Sequence, residues 1–186
     1  MPFKFDLVPK DLRCPCCDTI VIERISEYQR FEIFVAQTLQ AKLAGNCQAG
    51  VDVYGSALFP NLCFQVKFAF PNYPKTGYVV EKRGKKHIMN VAPRWFWSGN
   101  AEELADWYIL FGILEDKVYP FVFPAQVWLE EACDAFLYGR RRKQMAIVAQ
   151  KMSRRGKRGM VMNKMWEYEI VNWPDDFFSI LKNHNT

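Results

Sequence analysis

The chain has 186 residues, of which 50% are hydrophobic and 24% charged, a balance that excludes intrinsic disorder and supports one folded core. A single domain over residues 1–186 is expected, with a radius of gyration of about 16 Å and roughly 70% of its unfolded surface buried. The net charge of +5 is uneven: residues 139–159 hold nine basic residues and no acidic one, and without them 16 basic and 20 acidic residues leave a mildly acidic body of charge −4.

The first 18 residues read as irregular, with Pro2, Pro9 and Pro15. Met1-Pro2-Phe3-Lys4 has no signal-peptide apolar core, and no run reaches the ~18 apolar residues of a membrane span. A cytoplasmic protein without a membrane partner is expected, its six cysteines reduced. Cys14-Pro15-Cys16-Cys17 is spaced C-x-C-C rather than C-x₂-C, and Cys47 joins it only through long-range folding, so idle or buried thiols are a better reading than structural zinc.

A helix is predicted over about residues 22–44, with Ser26 and Gln29 as a capping box and Gly45 as the stop. Ile25, Tyr28, Glu32, Val35 and Leu39 recur at helical spacing on one face. A glutamate in that stripe requires a reason, because burying an unpaired carboxylate is costly. Gly50–Gly55 reads as a short strand carrying Asp52, and Leu62–Phe70 as a longer one ending at Pro71. Alternation places Phe64, Val66, Phe68 and Phe70 on one face of the second strand and Cys63, Gln65, Lys67 and Ala69 on the other.

Residues 71–100 read as a loop or insertion that includes His87, and Trp95, Phe96 and Trp97 cannot all be buried on one face. Trp107–Leu114 reads as a central strand, turning at Glu115-Asp116-Lys117 into Val118–Phe123, where Pro120 points to an edge or a bulge. Residues 126–159 read as a basic helical region, and Trp166–Ile170 as a last strand. The order predicts an α/β or α+β architecture, a central sheet flanked by helices, with its core at about residues 22–123.

Glu32, Asp52, Gln65 and Lys67 converge if the two strands are neighbours under the helix. Two carboxylates and an amide oxygen make an oxygen-rich pocket of the kind hard Mg²⁺ prefers. A lysine beside it orients or helps deprotonate a water, a combination suited to metal-assisted phosphodiester hydrolysis. Each residue also has a plainer explanation: a helix face rotated toward Phe31 and Phe34, a turn aspartate between glycines, and the wet face of a strand. One strongly basic patch on a mildly acidic body suits a polyanion, usually nucleic acid, with a solvated or disordered basic segment as the alternative.

Phe31-Glu32-x-x-Val35-Ala36, Gly50-Val51-Asp52 and Phe64-Gln65-Val66-Lys67, in this order, resemble the motifs of the PD-(D/E)xK nuclease superfamily, nearest to Mrr-like members with glutamine in the last motif. The chain departs from the pattern in having Val51 before Asp52 where proline is usual, and Gln65 in an acidic position. At this length the whole chain is similar to the small subunits of heterodimeric type IIS restriction endonucleases of Bacillus. The resemblance implies a restriction-endonuclease-like core with a mixed sheet. It also implies Mg²⁺, or Mn²⁺ in its place, held by Asp52, the Val66 backbone carbonyl, Gln65 and Glu32. Lys67 would position the attacking water. Arg140, Arg141, Arg142, Arg154 and Arg155 would serve the backbone of double-stranded DNA. The partner implied is a larger subunit that reads DNA and nicks one strand while this chain cuts the other. Gln65 keeps a second expectation alive, a nuclease-fold protein that only binds DNA or assembles with others. A cysteine-cluster regulator is the weakest of the three.

Overall fold

Ser26 caps the first long helix as its sequence dictates: its side chain accepts from the Gln29 backbone N–H, and the Gln29 side chain accepts from the Ser26 N–H. The computed structural model describes residues 2–13, 17, 19–22, 25–44, 50–72, 78–82, 85–89, 93–99, 105–137, 140–149 and 164–184. Its elements in chain order are β1 (Phe3–Lys4), β2 (Leu12–Arg13), β3 (Ile20–Ile22), α1 (Glu27–Leu39), β4 (Lys42–Leu43), β5 (Val53–Tyr54) and β6 (Cys63–Ala69). They continue with β7 (Tyr78–Lys82), β8 (Lys85–Met89), β9 (Arg94–Gly99), β10 (Trp107–Leu114), β11 (Lys117–Pro124) and α2 (Ala125–Glu131). The last are β12 (Cys133–Leu137), β13 (Arg140–Val148), a 3₁₀ turn (Met165–Tyr168) and α3 (Asp175–His184).

The protein is of mixed α and β structure. A six-stranded sheet runs β1-β11-β10-β6-β5-β4, and a three-stranded sheet runs β12-β13-β9. The β6–β10 pair is parallel, whereas β10–β11 and β5–β6 are antiparallel, so the large sheet is mixed. Hairpin β10–β11 turns at Glu115 and Asp116, both with positive φ, as the twist of a tight hairpin requires. Pro120 sits on the outer edge of β11: its carbonyl accepts from Ile170 N–H at 2.8 Å, and on that edge its missing N–H disrupts no strand pairing.

Both faces of the large sheet are covered. On one face α1 and α3 bury Phe31, Val35, Phe177 and Leu181 against Phe64, Ile109 and Phe111. On the other, β9, β13 and α2 bury Trp95, Trp97, Ile147 and Trp128 against Tyr108, Leu110, Phe121 and Phe123. The uniform burial of β10 follows, since alternate residues serve opposite cores. Arg30 ties the amino-terminal segment down, donating to the carbonyls of Val8 and Pro9 with its guanidinium 4.5 Å from the Phe5 ring centroid.

Several sequence expectations are corrected. Helix α1 ends at Leu39, not near Gly45, because Gln40 takes the left-handed conformation (φ 50°) and returns its N–H to Ala36 and Gln37. The segment 71–100 is not a plain loop but carries β7, β8 and β9. Of the basic region 126–159, residues as far as Glu131 are helical, and residues 150–159 lie outside the described residues. After Glu131 the chain forms β12 and β13, because Met145 and Ile147 alternate inward with period two. Residues 166–168 form a 3₁₀ turn instead of a strand.

Gly112 lies under the Trp95 ring, where an added Cβ would stand 2.5 Å from a ring carbon. Trp95 is fully buried and its indole N–H donates to the Ile113 carbonyl at 2.9 Å, so it has nowhere to move. Gly112→Ala should therefore destabilise the fold by about 3 kcal/mol, the upper end of the overpacking range. Chemical denaturation reads this as a lower midpoint with an unchanged slope.

Candidate active site

The edge of β6 is where the site forms. Strand β5 pairs with β6 only at Val53–Phe64 and Tyr54–Cys63, then the chain bends at Asp52 toward Gly50, whose φ is 81°. Among the described residues no strand pairs with this edge of β6 beyond Phe64, and a side chain takes over the role of the ladder. The Asp52 carboxylate accepts the Val66 backbone N–H at 2.7 Å, and the same oxygen, Oδ2, accepts from the Gln65 amide nitrogen. A strand residue presents its N–H and C=O to the same edge, so the Val66 carbonyl also opens there.

Helix α1 closes one side of this edge and β9 the other, leaving a pocket of about 190 Å³. Glu32, Asp52, Gln65, Val66 and Lys67 all line it. The residues expected to form the site are thus brought together. The face assumed for α1 is corrected, since Tyr28 is exposed and Phe31 carries the buried stripe. Glu32 sits at the border of that stripe, half-buried, and still faces the pocket. Gln65 and Lys67 are not on a wet face: Gln65 is buried and Lys67 half-buried beneath β9.

The electrostatics reflect two carboxylates and one ammonium in a partly buried pocket. Burial, then the charge of Asp52, pushes the Glu32 carboxyl up to about 7, against the pull of Lys67. Burial also raises Asp52, opposed by the Val66 N–H, Lys67 and Gln65. Lys67 is held below the usual lysine range by burial and by Arg142, with Asp52 and Glu32 opposing. With both carboxyls ionised, Glu32 and Asp52 carry two negative charges against the single positive charge of Lys67. That net negative charge, with the Gln65 amide oxygen and the Val66 carbonyl, fits a hard divalent cation. Among the described residues, no group of three or more His, Cys, Asp and Glu side chains is gathered as a ready metal cage.

This charge has a measurable consequence. Folded Glu32 binds its proton more tightly than an unfolded glutamate of pKa 4.5, so metal-free protein should lose stability as pH rises from 4.5 to about 7. A fully buried group would give about 3 kcal/mol over that window, and screening at this half-exposed position reduces it to about 1–2 kcal/mol. Urea melts at pH 5 and pH 7.5 should show this loss, and Glu32→Gln should flatten it.

Sequence reasoning did not identify the walls of the pocket. Tyr28 and Phe68 line it on the α1 side, and Phe96, Trp97 and Ser98 on the β9 side. Trp95 and Trp97 point inward and Phe96 outward, the alternation that the consecutive aromatics already implied. Gly99 makes room for Lys67: a Cβ there would lie 3.3 Å from the lysine Cε and 2.9 Å from the Trp128 ring.

The basic residues divide. Arg140, Arg141 and Arg142 lie on strand β13, and Arg154 and Arg155 fall outside the described residues. Lys143 serves the fold, reaching the Leu129 and Ala132 carbonyls at the end of α2 and pairing with Asp134 at 3.2 Å. Of the cysteine cluster, Cys14 and Cys16 also fall outside the described residues, while Cys17 is exposed, with its Sγ 3.2 Å from Thr19 Oγ1. Among the described residues, no helix is long and apolar enough to cross a membrane. No family model matches the chain, and no curated protein matches it either.

Proposed function

We propose that this pocket is the active site of a Mg²⁺-dependent deoxyribonuclease with a PD-(D/E)xK, restriction-endonuclease-like core. In this reading the chain is the second-strand-cutting subunit of a cytoplasmic type IIS restriction enzyme. The observation that carries the reading is the meeting of Glu32, Asp52, Gln65 and Lys67 in one pocket on this edge of β6. Asp52, Glu32, the Gln65 amide oxygen and the Val66 carbonyl would hold the cation. When bound, Mg²⁺ or Mn²⁺ supplies Lewis-acid polarisation of a phosphoryl oxygen and a water of lowered pKa.

The chain's own groups do the rest. Lys67, its pKa lowered by burial, orients a water, and its ammonium offsets charge developing on the phosphate. The Val66 N–H and the Gln65 amide fix the Asp52 carboxylate in place. Gly99 keeps the path of the lysine side chain open. Basic residues of β13 and the following segment supply attraction to the DNA backbone that does not depend on sequence.

One observation favours the second reading, a binding or assembly module without catalysis. The Gln65 amide nitrogen already satisfies Asp52, a role that a bound cation would otherwise share. Incubating plasmid with the chain and its nicking partner separates the two. Cleavage of the second strand that requires Mg²⁺ or Mn²⁺ supports the nuclease, and DNA association without any metal-dependent cut supports the module.

A further inference from the structure

The pocket joins phosphate chemistry to an aromatic surface. Its polar floor is Glu32, Asp52 and Lys67, but its mouth is flanked by rings, with Tyr28 and Phe68 on one side and Phe96 on the other. Tyr28 is 67% exposed and Phe96 37%. Tyr28 meets Phe68 edge-on at 4.8 Å, and Phe68 meets Phe70, itself exposed, at 5.7 Å. These rings are firmly held: Tyr28 belongs to capped helix α1, Phe68 stacks on buried Phe31 at 5.2 Å, and Phe96 is carried by a strand between two buried tryptophans. Exposed rings at the rim of a charged pocket are unfavourable in water and require a reason.

A fully paired duplex does not provide that reason. Its bases are stacked inward, and the backbone that would reach this pocket presents sugars and charged phosphates. A base beside the phosphate that leaves its stack can lie on the rings and cover them. Arg142 of β13 supplies positive charge on this side of the molecule: its charge acts on Lys67, and Gln144, two residues on, is paired with the pocket residue Ser98.

We propose that the site takes an unpaired DNA nucleotide, with Tyr28 and Phe96 stacking on bases that flank the phosphate over Lys67. The substrate strand is then locally single-stranded, at a frayed, nicked or bulged position, when it enters the pocket. This deepens the nuclease reading and rests on it.

The test uses the full chain in EDTA, titrated against oligodeoxynucleotides carrying 2-aminopurine: a single strand, a perfect duplex, and a duplex with a short bulge. Binding should quench 2-aminopurine in the single strand and in the bulge, with tighter binding to both than to the duplex. Tyr28→Leu and Phe96→Leu should each weaken single-strand binding roughly tenfold, and change duplex binding, carried by backbone charge, by less than about twofold. Tyr28→Phe keeps the ring and should restore single-strand affinity. Equal affinity for all three DNAs, insensitive to the ring substitutions, would overturn the proposal while leaving the nuclease reading intact. Single-strand stacking without any metal-dependent cleavage would uphold the ring site and sink the nuclease. If the Leu variants keep their single-strand affinity but no longer associate with the nicking subunit, the rings form a protein interface and the proposal falls.

Discussion

Asp52→Asn should lower second-strand cleavage about a thousandfold while leaving the protein folded. The carboxylate is the central anionic group of the pocket, and the cation's stabilisation of the reacting phosphate is worth several kcal/mol. A loss of about 4 kcal/mol is a thousandfold in rate. Asparagine is the informative replacement. Its amide oxygen can still accept the Val66 N–H that Asp52 accepts at 2.7 Å, whereas alanine would leave that donor without its partner at a further cost of about 1–3 kcal/mol. Lys67→Met, which keeps an apolar stem beside Gly99, should fall by a comparable factor. Rates come from the plasmid assay, and far-UV circular dichroism with a urea midpoint shows that folding is retained. An Asp52→Asn protein that cuts like wild type would remove Asp52 from the chemistry.

Nearly as large an effect is expected from the partner. Alone, the chain should give no site-specific product. The nicking subunit alone should give an open circle, and the two together a linear plasmid. The reasons are size and geometry. Among the described residues, α1 and α3 spend their apolar faces on the sheet, and α2 is a short helix of seven residues. Among the described residues no helix is left to read a groove, while specific DNA recognition commonly buries about 1,000 Å² or more of protein. In the nuclease reading, a single pocket would cut one strand per binding event. Being held beside the site by the partner raises the effective concentration at a single phosphate. Site-specific double-strand cutting by this chain alone would point instead to a self-sufficient homodimer.

The legible parts of this sequence were those where a local rule and the tertiary contacts agree. Ser26 and Gln29 announce the start of α1, and the apolar run Trp107–Leu114 announces a strand buried on both faces. Asp52, Gln65 and Lys67 were readable because successive strands had to place them, and the register of β5 on β6 does so. Misreadings occurred where two rules compete. On α1, Tyr28 and Phe31 both fit a helical stripe, and only the packing of Phe31 on Phe111 shows that Phe31 is the buried one. In residues 133–148 a run of arginines obscured the period-two pattern of Met145 and Ile147, whose burial comes from pairing with β9, some fifty residues earlier. The aromatic walls were missed for the same reason: Phe96 reaches the pocket through that long-range sheet. Gln40, a non-glycine residue with φ 50°, ends α1 where composition alone offers no signal.

The central claim, that Glu32, Asp52, Gln65 and Val66 form a cation site, is tested most directly by titrating Mn²⁺ into the metal-free chain and following binding by calorimetry at pH 7.5. Wild type should bind, and Asp52→Asn should lose most of that affinity. Gln65→Glu should bind more tightly but be less stable without metal, because it sets a carboxylate against Asp52 where the amide now donates. Mn²⁺ should also abolish the loss of stability between pH 5 and pH 7.5, since the cation supplies the positive charge that Glu32 lacks. A wild-type chain that binds no Mn²⁺, or an Asp52→Asn chain that binds it as well as wild type, would contradict the assignment of this pocket as a metal-dependent active site.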